Sequence, residues 1–118
     1  MVTTVGDEDQ ANELARELVM RRQAACVNML SSMKSVYRWK GKICRDSEYL
    51  LIIKTEASEF EQVADTIREI HQYDLPEILA LEITKGDPDF LAWIHASLDK
   101  NADDFEDEED GLPDLDSM

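Results

Sequence analysis

Glycine is scarce in this chain, with four residues, and so is proline, with three. A sequence so poor in both is no low-complexity linker, and its 43% apolar content places most of it in the globular class. There is no glycine-rich phosphate loop. No Ser-His-Asp or Cys-His order falls at a recognisable spacing, so the residues give catalysis no support. No apolar run approaches a membrane span and no leader precedes the first periodic segment, from which a soluble, cytoplasmic protein without a membrane partner is expected. The two cysteines, Cys26 and Cys44, make no Cys-x-x-Cys pair. Both lie in strand-like apolar runs and read as buried, reduced thiols rather than a disulfide.

Acidic residues are plentiful. They number 27 against 12 basic ones, for a net charge of −15. Nine of the acidic residues lie in 101–118, which carries no basic residue, so the body keeps 18 acidic against 12 basic, a charge of −6. Such a body repels phosphate backbones, and nucleic acid is excluded as a partner on this ground. With almost no apolar content and one sign of charge, the tail over 101–118 is expected to be disordered, leaving one domain over 1–100. A partner-binding or metal-buffering tail is the alternative.

Hydrophobic periodicity sets the element order. Val2 to Val5 reads as a strand, ended by Gly6. Asp7 and Gln10 form a capping-box arrangement, and Ala11, Leu14, Ala15, Leu18 and Val19 then recur at helical spacing, so a helix runs to about Arg22-Gln23. Ala24 to Leu30 is strand-like, with a bend or bulge at Ser31-Ser32. Ser35-Val36-Tyr37-Arg38-Trp39-Lys40, Gly41 and the return through Lys42-Ile43-Cys44 to Thr55 read as a long hairpin reversing at Lys40-Gly41. The run Leu50 to Ile53 is expected to be a central strand covered on both faces. A second capping box, Ser58 with Glu61, opens a helix over Phe60, Val63, Ala64, Ile67 and Ile70 that stops near His71, before Pro76. Ile78 to Ile83 predicts a fourth strand. Asp87-Pro88 starts a last helix whose apolar side is Phe90, Leu91, Ile94 and Leu98.

This order is β-α-β-β-α-β with an extra C-terminal helix, an α+β, ferredoxin-like antiparallel sheet with helices on one face. From Ala25 to Lys40 the chain extends roughly 50 Å at the usual strand rise. A domain of this size measures only about 35 Å across. The hairpin therefore overhangs its own domain, and its apolar tip and unpaired edges call for cover by other copies, so a homo-oligomer is expected.

The blocks Ala24-Ala25-Cys26-Val27-Asn28, Ser35-Val36-Tyr37-Arg38-Trp39 with Gly41-Lys42, Ile53-Lys54-Thr55 and His71-Gln72-Tyr73-Asp74-Leu75-Pro76-Glu77-Ile78 resemble the CutA divalent-cation tolerance proteins over almost all of residues 2–98. The resemblance implies a ferredoxin-like homotrimer with interlocking hairpins. It also implies copper binding through a cysteine, a histidine and a glutamate. The histidine matches His71 and the glutamate Glu77, whereas the cysteine position falls on Thr3, a poor ligand for a soft metal. The family is similar in architecture to the trimeric PII signalling proteins, which bind small ligands between subunits.

By chemistry alone, the imidazole of His71 and the carboxylate of Glu77 suit Cu(II), Zn(II) or Ni(II), and the Pro76 turn can bring them together. The alternative is a helix-end histidine that is hydrogen-bonded and a glutamate that begins a strand. Tyr37, Arg38 and Trp39, with Lys54 and Tyr73, compose a candidate intersubunit cleft for a small anion or nucleotide, offering a ring to stack on and cations to hold charge. Equally, Tyr37 and Trp39 fit the role of interface anchors. His95 reads as a surface or packed residue.

Overall fold

Two helices lie across one face of a three-stranded antiparallel sheet in a computed structural model that describes residues 1–102. The elements are β1 (Val2–Val5), α1 (Glu8–Met20), β2 (Cys26–Trp39), β3 (Lys42–Lys54), α2 (Phe60–Ile70) and α3 (Pro88–Ser97), with a 3₁₀ turn at Ala57–Glu59. The strand order is β1-β3-β2. The acidic tail expected from 101 onward falls, from residue 103, outside the described residues.

Local chemistry explains most of the boundaries. Asp7 caps α1 by accepting from the Gln10 amide at 2.8 Å, but Gln10 does not complete the box, since its buried Oε1 has no hydrogen-bond partner. Asp87 caps α3 in the same way, accepting from the Phe90 amide at 2.9 Å, with Pro88 at the first helical position. The hairpin reverses where expected. Lys40 and Gly41 both have positive φ, 49° and 78°, as a two-residue type I′ turn requires between the paired Trp39 and Lys42. The register shift between Leu30 and Met33, with Ser32 at φ 62°, is the bulge foreseen at Ser31-Ser32.

The core joins β1 and β3 to α1 and α2. Val5, Leu14, Leu18, Leu51, Ile53, Val63 and Ile67 are all at most 1% exposed. Each such aliphatic side chain stabilises by about 1.5–3 kcal/mol relative to an exposed one. The longest dimension of the molecule is 50 Å against 31 and 25 Å for the others. That elongation fits the overhang expected from the hairpin's length.

Four expectations need correcting. The fourth strand over 78–83 is reduced to one bridge, Leu79 with Val2. Antiparallel register from that bridge sets Ala80 opposite Met1, so Leu81 and Ile83 run past the start of β1 and stay 63% and 73% exposed. On the other side of the bridge the Thr4 carbonyl is occupied by His71. Second, within a single chain Leu50 to Ile53 is covered on one face only. Leu51 and Ile53 are buried under the helices, while Leu50 and Ile52, on the other face, are half-buried. Third, the Ser58 capping box is not formed. The 3₁₀ turn moves the start of α2 to Phe60, and Glu59, its capping position, instead receives Lys100. Fourth, Cys26 and Cys44 are free thiols but only half-buried, because Cys26 alternates with Val27, which packs on the core, and so lies on the open face of the sheet, while Cys44 lies near the hairpin turn. On α3 only Ile94 and Leu98 are buried, and Phe90, Leu91 and Trp93 remain exposed.

Candidate functional site

The chain after α2 turns at His71 and runs back beneath the hairpin. Between this return and the strands lies a cleft of about 720 Å³. Ser35 to Trp39 of β2 form one wall, Glu48 of β3 and Thr4 of β1 the back, and residues 72–77 the other wall. Tyr37, Arg38, Trp39, Tyr73 and Glu77, five of the seven residues singled out in the sequence, line it.

His71 lies behind the wall. It is 9% exposed, and both ring nitrogens are engaged. Nε2 lies 2.5 Å from the Thr4 carbonyl, which can only accept, so Nε2 carries the proton and donates. Nδ1, 3.0 Å from the Tyr73 amide, therefore accepts. With these two bonds the imidazole ties β1 to the loop. Its ring also packs against that of Tyr73, with centroids 4.5 Å apart.

Tyr73 in turn donates its hydroxyl to Glu48 Oε2 at 2.8 Å. Its ring fits closely over Gly6, where an added Cβ would come within 3.2 Å of the Tyr73 hydroxyl oxygen, so a side chain at position 6 would push the tyrosine aside. Burial, reinforced by the Glu48 bond, raises the Tyr73 phenol above its ordinary range. The Tyr37 hydroxyl donates to Asp46, and that bond above all pushes its phenol up to about 12. Both hydroxyls therefore stay protonated donors at neutral pH.

Lys54 does not line this cleft within one chain. It sits at the end of β3 farthest from the turn, paired with Cys26, and its Nζ lies 5.6 Å from the centre of the Phe90 ring on α3. Thr3, at the position where the resemblance implies a cysteine, is fully buried and its hydroxyl has no partner among the described residues. Among the described residues no hydrogen bond or ion pair joins His71 to Glu77, and no three His, Cys, Asp or Glu residues converge as metal ligands. His95 is on the surface, 2.8 Å from Glu56. Sequence reasoning missed Glu48 and Asp74. Glu48 was legible only as a lone carboxylate just ahead of the Tyr49-to-Ile53 apolar run, with no sign of what would fold over it.

The CutA1 divalent ion tolerance protein family matches residues 1–97. The chain is similar to the mouse protein named CutA, with 42% identity over 92 residues, covering 78% of this chain and 52% of that protein. It thus spans about half the length of that relative. It is also similar to the divalent-cation tolerance protein CutA of Thermus thermophilus, with 38% identity over 94 residues, covering 80% of this chain and 91% of that one. Among solved structures, the protein of Archaeoglobus fulgidus titled periplasmic divalent cation tolerance protein CutA superposes with a TM-score of 0.81 at 34% identity, over 83% of this chain and 95% of that one. No described helix is long and apolar enough to cross a membrane. With a family match over nearly the whole folded body, this chain belongs to the CutA1 divalent ion tolerance protein family.

Proposed function

We propose that this chain acts in divalent-cation tolerance as a homotrimer that binds Cu(II) or a similar ion weakly and catalyses no reaction of its own. Beyond family membership, the observation that carries this reading is the acidic cleft, where Glu77 lies with Glu48 and Asp74. For His71 to join a metal, its Nδ1 must give up the Tyr73 amide, so coordination competes with a bond the fold already makes. Thr3 adds no soft ligand. Both features favour weak over tight binding. Assembly is supported by the exposed apolar residues Val36, Ile43, Leu81 and Ile83, each at least 60% accessible along the hairpin and the 81–83 stretch. The two free thiols fit a reducing compartment such as the cytoplasm.

The test is a calorimetric titration with Cu(II) of the parent protein and a His71→Ala, Glu77→Ala double variant. Loss of the binding heat in the variant supports the reading, and indistinguishable curves would remove both residues from it. A second reading rests on the cleft's size. At about 720 Å³ it falls within the range of small-molecule sites, and it fits a scaffold or signalling role in which the cleft takes an organic ligand.

A further inference from the structure

The cleft's charge and its walls select among ligands. Three carboxylates, Glu48, Asp74 and Glu77, line the cleft against one cationic residue, Arg38, which strand alternation sets on the other face of the hairpin from Tyr37 and Trp39, and Lys54 is absent from the lining. An anion would meet two more negative charges than positive ones. Glu48 is the most telling of these groups. It is 7% exposed, and its Oε2 accepts from Tyr73, but its Oε1 has no hydrogen-bond or ion-pair partner among the described residues. That oxygen stays accessible from the cleft that Glu48 lines, where it can accept from a ligand. The walls around it are aromatic. Tyr37, Trp39 and Tyr73 keep 41%, 39% and 38% of their surface exposed.

A tightly held divalent ion needs several oxygen or nitrogen ligands at short range, and among the described residues no such group converges here, so a metal can bind the cleft only weakly. Aromatic faces give a hydrated metal ion little. An ammonium group, by contrast, is attracted both to ring faces and to a carboxylate beside them. Resting on the cleft as a small-molecule site, we infer that its ligand is an organic cation: a protonated amine with an apolar or aromatic body, paired with Glu48 and walled by Tyr37, Trp39 and Tyr73. The hydroxyls of Tyr37 and Tyr73 are already committed to Asp46 and Glu48, which fixes the rings in place before the ligand arrives.

The experiment compares three probes with one body on the intact protein by isothermal calorimetry: phenethylammonium, the neutral 2-phenylethanol and the anion phenylacetate. The amine is expected to bind saturably, with the alcohol and the carboxylate at least about tenfold weaker. Glu48→Gln is expected to weaken the amine by about tenfold or more. Trp39→Ala, which removes a partly exposed ring near the hairpin tip and leaves the core intact, is expected to weaken it as well, so the result does not depend on the buried variant folding. If phenylacetate binds as tightly as the amine, or if both variants leave amine affinity unchanged, the ligand class is wrong while the cleft remains a site. If none of the three probes binds, the inference and the small-molecule reading of the cleft fall together.

Discussion

The Tyr73 hydroxyl donates to Glu48 Oε2 across 2.8 Å, joining the loop after α2 to the middle of β3 and closing the back of the cleft. Tyr73→Phe deletes that bond and leaves a nearly buried carboxylate without its one donor. The expected loss is about 1–2 kcal/mol, within the range for a hydrogen bond to a charged group that is partly screened. Urea unfolding should show a lower midpoint with an unchanged slope. An unchanged midpoint would mean that the Glu48 carboxylate is satisfied by water.

His71 should behave as a fold residue whatever it does with metal. His71→Ala removes the donor to Thr4 and the acceptor for the Tyr73 amide, and also opens space beside β1. A destabilisation of about 2 kcal/mol or more is expected, measured with metal chelated. Glu77→Ala, at an exposed position, should change stability by less than about 0.5 kcal/mol. Equal stability of the two variants in chelator would show that the histidine bonds contribute nothing to the fold.

The tyrosines set an alkaline limit. In the folded chain the Tyr37 phenol is pushed up to about 12 by its bond to Asp46, and Tyr73 is also raised, mainly by burial. An unfolded tyrosine ionises near pH 10. Above that pH the unfolded chain releases protons that the folded chain keeps, so it binds fewer protons and stability falls as pH rises. The contribution is present in full below about pH 10 and is lost as pH climbs toward about 12. Ultraviolet titration should show native tyrosinate absorbance rising later than in denatured protein. Tyr37→Phe should bring the two curves closer together, and coincident curves for the parent protein would contradict the assigned hydrogen bonds.

Much of the fold was legible because it rests on local chemistry. Asp7 and Asp87 caps, the Lys40-Gly41 reversal and the Ser32 bulge each follow from a few neighbouring residues. The misjudged parts depend on partners distant in sequence. Ile78 to Ile83 has the composition of a strand, but among the described residues only Leu79 forms a bridge, with Val2, while the nearby Thr4 carbonyl is taken by His71. At the site, aromatic and cationic residues were legible one by one. That Glu48 would sit under Tyr73, or that Lys54 would lie at the wrong end of β3, follows from register and from the path of the loop, which composition does not encode.

Assembly gives the sharpest mutational test. Val36 and Ile43 lie on one face of the hairpin, since Ile43 pairs with Arg38 and Val36 precedes Arg38 by two. They are 64% and 60% exposed, and neither touches the core, so replacing both with lysine removes nothing from the fold of one chain. If copies pack on this face, fully burying each aliphatic side chain contributes about 1.5–3 kcal/mol, and lysines there would add like charges around a symmetric interface. The Val36→Lys, Ile43→Lys variant should scatter light near 13.5 kDa, with the parent near three times that mass. Its circular dichroism should keep the helical signal of α1 and α2. A variant that retains the parent's mass would place the interface elsewhere. The first alternative would be the Leu81 and Ile83 stretch, which is just as exposed and has no strand beside it.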